Sequence, residues 1–248
     1  MVLVVLATLL IGYLAIVAAL FAFQRKLIFP APQGDRAPAQ GLVRGDGFFA
    51  LHSPGTPTVV HLHGNAEALW HSEWLAQRYA EQGLGFYAIE YPGYGLAAAT
   101  PVSEEAIYGT VEKAIRALNV PKEQLILQGQ SLGSGVAVEM AKRGYGSRLI
   151  LVAPYTSIAD VAAEAFPLLP ARWLVRDRFD SAWKAKDLTL PVLLVHGSED
   201  EVIPTHMART LAKIFPNATL QIVDGAHHND LIDRPEVIDA LTAFSRAR

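Results

Sequence analysis

A serine set between two glycines, Gly129-Gln130-Ser131-Leu132-Gly133, is the most chemically suggestive run of residues in this chain. It follows an apolar segment, Gln124 to Gln128, that reads as a strand and precedes a helical pattern, Leu132 to Lys142. A serine on such a sharp strand-to-helix turn holds its hydroxyl above the sheet, and glycines are needed where neighbouring backbone crowds the turn. The helix that starts just after Ser131 aims free N–H groups and its positive dipole end at developing negative charge. Composition alone produces a Gly-x-Ser-x-Gly pattern about one time in ten at this length. The position between strand and helix, rather than the pentapeptide, therefore makes Ser131 a candidate nucleophile.

A serine hydroxyl is a weak nucleophile until a neighbouring base takes its proton, and that base needs a partner to fix its tautomer and steady its charged form. His196-Gly197-Ser198-Glu199-Asp200 follows a buried run and ends in an acid, and Gly225-Ala226-His227-His228-Asn229-Asp230 follows the last predicted strand. Taken alone, Asp200 reads as a turn-capping aspartate. Joined to the serine turn, in the chain order Ser, Asp, His, it reads as the acid of a triad. Either His227 or His228 could be the base, since both sit on one loop.

His63-Gly64-Asn65 closes another predicted strand, a position from which the Asn65 amide, with that of Leu132, can hold the oxygen of a tetrahedral intermediate. His61 and His63, two apart on a strand, raise the competing idea of a metal site, but no further histidine or carboxylate follows at zinc-hydrolase spacing. No metal and no organic cofactor is expected. Tyr94, Trp70 and Tyr155 are candidate pocket residues, with Trp74 nearby; singly, such aromatics read as core.

These groups need a scaffold. The 248 residues, 51% of them hydrophobic, suffice for one sizeable core. A net charge of -3 offers no positive field for a polyanion, which argues against a nucleic-acid partner. The absence of cysteine excludes disulfides, thiolate zinc sites and cysteine nucleophiles. Short apolar runs alternate with helical patterns, the signature of a mostly parallel, doubly wound α/β sheet covered by helices. Strands are expected at Thr58–His63, Phe86–Glu90, Leu149–Val152, Val192–Val195 and Thr219–Val223, besides the one before Ser131. Helices are expected over Ala66–Glu81, over Pro235–Phe244, and up to Leu118 from Ser103, an N-cap with Glu104 and Glu105 in the positive first turn. The insertion at about 157–190 is too long for a plain connection. Its Phe166, Leu168, Leu169, Trp173 and Leu174 suit either an apolar cap over a site or an extra helix packed on the core.

Val2 through Phe23 holds no charged residue and can cross a hydrocarbon layer of roughly 30 Å as a helix. No basic residue precedes it, unlike a cleaved signal peptide, so a retained single-pass transmembrane helix is expected. Arg25, Lys26 and Arg36 favour a cytoplasmic location for the folded part. The division expected is an anchor over 1–24, a linker over 25–40 marked by Pro30, Pro32, Gly34 and Pro38, and one folded domain over 41–248.

His63-Gly64-Asn65, Tyr91-Pro92-Gly93-Tyr94-Gly95, the serine pentapeptide, Arg178-Phe179-Asp180-Ser181, His196-Gly197 with Asp200, Val202-Ile203-Pro204 and His228-Asn229-Asp230 together resemble the Bem46-like α/β-hydrolases, related to the α/β-hydrolase domain-containing groups 13 and 17. The resemblance spans nearly the whole chain, including the N-terminal apolar helix. It implies an α/β-hydrolase fold and a serine hydrolase, and names the histidine before Asn-Asp, His228, as the base. It further implies an acyl ester or thioester substrate. Leu96-Ala97-Ala98-Ala99-Thr100 departs from the family's usual serine and glycine, which bears on the substrate and not on the triad. A serine peptidase of the same fold, and a membrane-tethered binding scaffold without activity, are the competing expectations.

Overall fold

Six β-branched and leucine-rich runs supply the parallel part of one eight-stranded sheet. The structure, a computed structural model, describes residues 1–32 and 36–247; Gly34 of the expected linker and residue 248 lie outside the described residues. The strands are β1 (Leu42–Gly45), β2 (Phe48–Ser53), β3 (Thr58–Leu62), β4 (Gly85–Ile89), β5 (Leu125–Gln130), β6 (Arg148–Val152), β7 (Val192–Gly197) and β8 (Ala218–Val223). Their order across the sheet is β1-β2-β4-β3-β5-β6-β7-β8, with β1 and β2 antiparallel to their neighbours and the rest parallel.

Helices cover both faces: α2 (Glu73–Glu81), α3 (Glu104–Leu118), α4 (Leu132–Lys142), α8 (Thr205–Ile214) and α9 (Pro235–Arg246), after an N-terminal α1 (Val2–Ile28). Strand side chains alternate between two cores, as the two-residue period demands. Val60, Leu62 and Leu127 enter one core, and Val59 and Ile126 the other. The insertion holds three short helices, α5 (Ile158–Ala165), α6 (Ala171–Leu174) and α7 (Ser181–Ala185). Of its apolar residues, Leu168 and Trp173 are 86% and 90% exposed, so they are not packed on the core.

The β-hairpin β1–β2 had no counterpart among the expected strands. Its polar residues Arg44, His52 and Ser53 break the apolar continuity that marks the buried parallel strands. The helix expected from Ala66 starts instead at Glu73, after a short 3-10 turn over Leu69–Ser72. Ala66 takes a left-handed φ of 58°, and the Glu67 carboxylate turns back to accept from the Gly64 amide at 3.4 Å, so the chain cannot yet wind as a helix. Ser103 caps α3 as expected, accepting from the Ala106 amide.

The candidate transmembrane helix α1 runs to Ile28, past the expected boundary at 24. Its most apolar stretch has a mean hydropathy of 2.8 and none of it is buried. Such a helix can dispose of its apolar surface in a bilayer. Its last turns touch the insertion and the loop after β3.

Candidate active site

The strands β3, β5, β7 and β8 end at one rim of the sheet, because their carboxyl ends lie in register: Leu62 beside Gly129, and Gly197 beside Val223. In open α/β sheets, ligands collect at this rim. Ser131 sits on the turn between β5 and α4 with φ 49° and ψ -120°, a left-handed conformation that costs a residue with a Cβ about 1–3 kcal/mol. The turn closes only because Gly129 and Gly133 lack side chains. A Cβ on Gly133 would stand 1.9 Å from the Leu62 carbonyl oxygen, and one on Gly129 would stand 2.2 Å from that of Gly133.

His228 reaches Ser131: its Nε2 lies 3.0 Å from the Ser131 Oγ. Its Nδ1 lies 2.8 Å from Oδ2 of Asp200, whose side chain is wholly buried. The Asp200 Oδ1 accepts the amides of Val202 at 2.9 Å and Ile203 at 2.7 Å. Burial by itself raises the Asp200 carboxyl. Hydrogen bonds from His196, His228 and the Ile203 amide, with the charge of His228, outweigh it and hold the group well below the usual carboxylate range. An ionised Asp200 can only accept, so Nδ1 of His228 donates to it and Nε2 is left to accept from the serine. His227 turns away; it is half exposed, with Nδ1 3.2 Å from Glu201.

Two groups brace this line. His196, at the end of β7, puts Nε2 3.3 Å from the Asp200 carboxylate and 2.9 Å from the Ile203 carbonyl. Arg234 donates to the Gly225 carbonyl at 2.6 Å and to Asp230 at 2.7 Å, and Asp230 accepts the His227 amide, which pins the histidine loop at both ends. The sequence marks neither as a support except through the four-residue spacing of Asp230 and Arg234, which suits an ion pair within one turn.

The family of this chain follows from likeness as well as geometry. A family model described as "Serine aminopeptidase, S33" matches residues 54–179, and one described as "alpha/beta hydrolase fold" matches residues 170–235. An uncharacterized protein of Mycobacterium tuberculosis is 30% identical over 88% of this chain and 80% of its own length. The chain belongs to the α/β-hydrolases. Alpha/beta hydrolase domain-containing protein 17C of Xenopus tropicalis is 34% identical over 79% of this chain, which spans 64% of that protein's length. Among solved structures, a monoacylglycerol lipase from Paleococcus ferrophilus shares the fold with a TM-score of 0.63, at 21% identity over 80% of this chain and 98% of its own.

In this α/β-hydrolase, the segment His63-Gly64-Asn65 runs directly beside the serine turn, close enough that a Cβ on Gly64 would lie 3.4 Å from that of Ser131. Leu132, the first residue of α4, has an amide with no carbonyl to meet inside its helix. The backbone N–H of Asn65 donates to no protein acceptor among the hydrogen bonds of the described residues. The segment is held from below. The Tyr91 hydroxyl donates to the His63 carbonyl at 3.0 Å, and Glu67 bridges the Gly64 amide and the Gln130 side chain. His63 pairs with buried Glu90 at 3.5 Å; burial lowers its pKa, but Glu90 and Glu67 together raise it above the ordinary value.

The three pocket candidates divide: Tyr94 and Tyr155 are buried behind the site, and Trp70 lines a cleft. Tyr94 is fully buried and donates to Oδ1 of Asn65 at 2.5 Å, and Tyr155 is fully buried and donates to the Leu132 carbonyl at 3.0 Å. Both therefore hold the Asn65 and Leu132 segments from behind. Trp70 lines a polar cleft with Glu67, His71 and Gln130, under the Arg36 guanidinium. Trp74 lines the same cleft. An apolar cavity of about 270 Å³ reaches Asn65 and is walled by α1, α5 and α6. His61 and His63 have separate partners, Gln128 and Glu90, and no cluster of three metal-ligating side chains occurs among the described residues.

Proposed function

We propose that this α/β-hydrolase is a membrane-anchored serine hydrolase that cleaves acyl esters or thioesters, with Ser131 as nucleophile, His228 as base and Asp200 as its orienting acid. The observation that carries this reading is the unbroken hydrogen-bonded line from Asp200 through His228 to a serine on a left-handed turn. Nε2 of His228 takes the Ser131 proton as Oγ attacks the acyl carbonyl, and the amides of Asn65 and Leu132 hold the oxyanion. His228 then protonates the departing alcohol or thiol, leaving an acyl group on Ser131. A water, deprotonated by the same nitrogen, attacks that acyl carbon and restores the serine. No metal or cofactor enters these steps. Arg25 and Lys26, at the end of α1, support a cytoplasmic location for the folded domain.

A peptidase reading is favoured by one specific finding, the serine aminopeptidase description of the matching family model. Against it stands the cavity beside Asn65. Its lining is apolar apart from Gln24 and Asn65 and offers no carboxylate for the amine of a peptide. A panel of p-nitrophenyl esters and acyl thioesters of rising chain length, set beside aminoacyl p-nitroanilides, decides between them. Turnover of esters or thioesters that disappears in Ser131→Ala is expected; higher kcat/KM on the anilides overturns the ester reading.

A further inference from the structure

The cavity beside Asn65 is unusual in its walls. One side is the insertion, through Ile158, Val161, Ala165 and Leu174, and the other is the candidate transmembrane helix, through Val17, Leu20 and Phe21. A helix that only tethered the domain would have no reason to complete a cavity that reaches Asn65, whose segment runs beside the serine turn. The two walls are fastened together by polar contacts at one level. Gln24 accepts the Arg176 amide at 2.8 Å and donates to the Leu174 carbonyl at 3.2 Å, Arg25 pairs with buried Asp177 at 2.8 Å, and the Arg176 guanidinium covers the Phe21 ring. If α1 spans a bilayer, this belt of polar and charged contacts around residues 21–25 belongs at the level where water begins.

From that belt the insertion extends back along α1, into the apolar part. The Tyr13 hydroxyl donates to the Leu168 carbonyl at 3.1 Å. Tyr13 lies eight residues before Phe21, so the tip of the insertion reaches about 12 Å beyond the belt at 1.5 Å per residue. At that depth α1 is surrounded by acyl chains if it spans a bilayer. The tip is composed for such a place. Phe166, Leu168 and Trp173 point outward and are 53%, 86% and 90% exposed. Backbone groups left bare in hydrocarbon are costly, and the run Phe166-Pro167-Leu168-Leu169-Pro170 has few. Its two prolines have no N–H, the amides of Phe166 and Leu169 donate to Ala162 and Phe166, and the Leu168 carbonyl takes the tyrosine.

We infer that α1 and the insertion form one unit sunk into a single leaflet, and that the cavity between them receives the acyl chain of a membrane-borne ester or thioester directly from that leaflet. The inference rests on the serine hydrolase reading and adds to it the route and class of substrate. A chain lying in the cavity brings its carbonyl past Asn65, whose segment adjoins Ser131. At about 270 Å³ the space is at the lower edge of small-molecule sites, which suits one chain. The exposed tip and the apolar cavity mouth then face lipid, and neither presents apolar surface to water.

Two measurements test this independently. The chain has no cysteine, so Leu168→Cys gives a single site for an environment-sensitive fluorophore in phosphatidylcholine vesicles. Quenching by doxyl-labelled lipid and protection from aqueous iodide are expected; quenching by iodide and not by doxyl lipid overturns the immersion of the insertion. For the cavity, Ala162→Trp on α5 and Leu20→Trp on α1 narrow it from opposite walls. Each is expected to lower the ratio of kcat/KM for p-nitrophenyl palmitate over acetate at least tenfold, in vesicles. A ratio unchanged in both variants overturns the acyl-chain route, while loss of the wild-type protein's labelling by a fluorophosphonate probe would remove the serine hydrolase reading beneath it.

Discussion

The side chain of Asn65 donates to the carbonyl of Ile28, the last residue of α1, at 2.8 Å. One residue thus joins the candidate membrane helix to the segment beside the serine turn, and its other side-chain atom accepts from buried Tyr94. Asn65→Ala strips both contacts and leaves the Tyr94 hydroxyl buried without a partner, at a cost of about 1–3 kcal/mol. A lower thermal midpoint is expected, with kcat reduced on the order of tenfold as the donor segment loosens. Tyr94→Phe is expected to be milder, since it frees only one Asn65 acceptor. Equal kcat values in Asn65→Ala and the wild type would show that the side chain does not position this segment.

The two adjacent histidines give a sharper contrast. His228→Ala should lower kcat by about four or more orders of magnitude, as loss of a general base does. His227 faces Glu201 at the surface, so His227→Ala should stay within about tenfold of wild type. Steady-state kinetics on one short ester check both, and the reverse ranking moves the base by one position.

Strain at the serine turn predicts a trade between activity and stability. Ser131→Ala keeps the left-handed φ of 49° with a Cβ in place, whereas Ser131→Gly releases it. Both variants should be inactive, and the glycine variant should be the more stable by about 1 kcal/mol. Denaturant midpoints in detergent read the difference; a glycine variant less stable than the alanine one contradicts the strain.

Acid should loosen the fold through His61. Burial, with a smaller contribution from the charge of His63, pushes this imidazole down to about 3. Its Nδ1 accepts from Gln128, whose oxygen is taken by Tyr79. The folded state therefore binds the proton less readily than the unfolded chain does. The stability this contributes is whole above the ordinary histidine value near 6.5 and is lost as pH falls from there toward 3, at up to about 1.4 kcal/mol per pH unit for one proton. Unfolding free energies of wild type and His61→Gln between pH 7 and pH 4 should converge as the pH falls; parallel curves contradict the neutral imidazole.

Much of this architecture can be read from residues alone, and the exceptions have physical causes. The parallel strands β3 to β7 are buried on both faces and read as largely apolar runs, with Ser131 and Asp200 following two of them, whereas the edge strand β8, ahead of His228, is only half-buried. The hairpin β1–β2 lies at the sheet edge and mixes Arg44, His52 and Ser53 into its pattern. Trp70, Tyr94 and Tyr155 carry no mark in the sequence that tells a wall of a pocket from a prop behind it. The same holds for α1: an unbroken apolar run looks alike whether Leu20 faces lipid or a cavity, so its part in the wall emerges only in three dimensions. Choosing between His227 and His228 likewise requires the path of the loop, which Arg234 and Asp230 set.

The central claim is that Ser131, activated through His228, is the atom that attacks. Mass spectrometry of the protein after reaction with a fluorophosphonate probe tests it most directly. A single adduct on Ser131, lost in His228→Ala as well as in Ser131→Ala, is the expected result. An adduct on another residue, or a well-folded protein that takes up no probe, would contradict it.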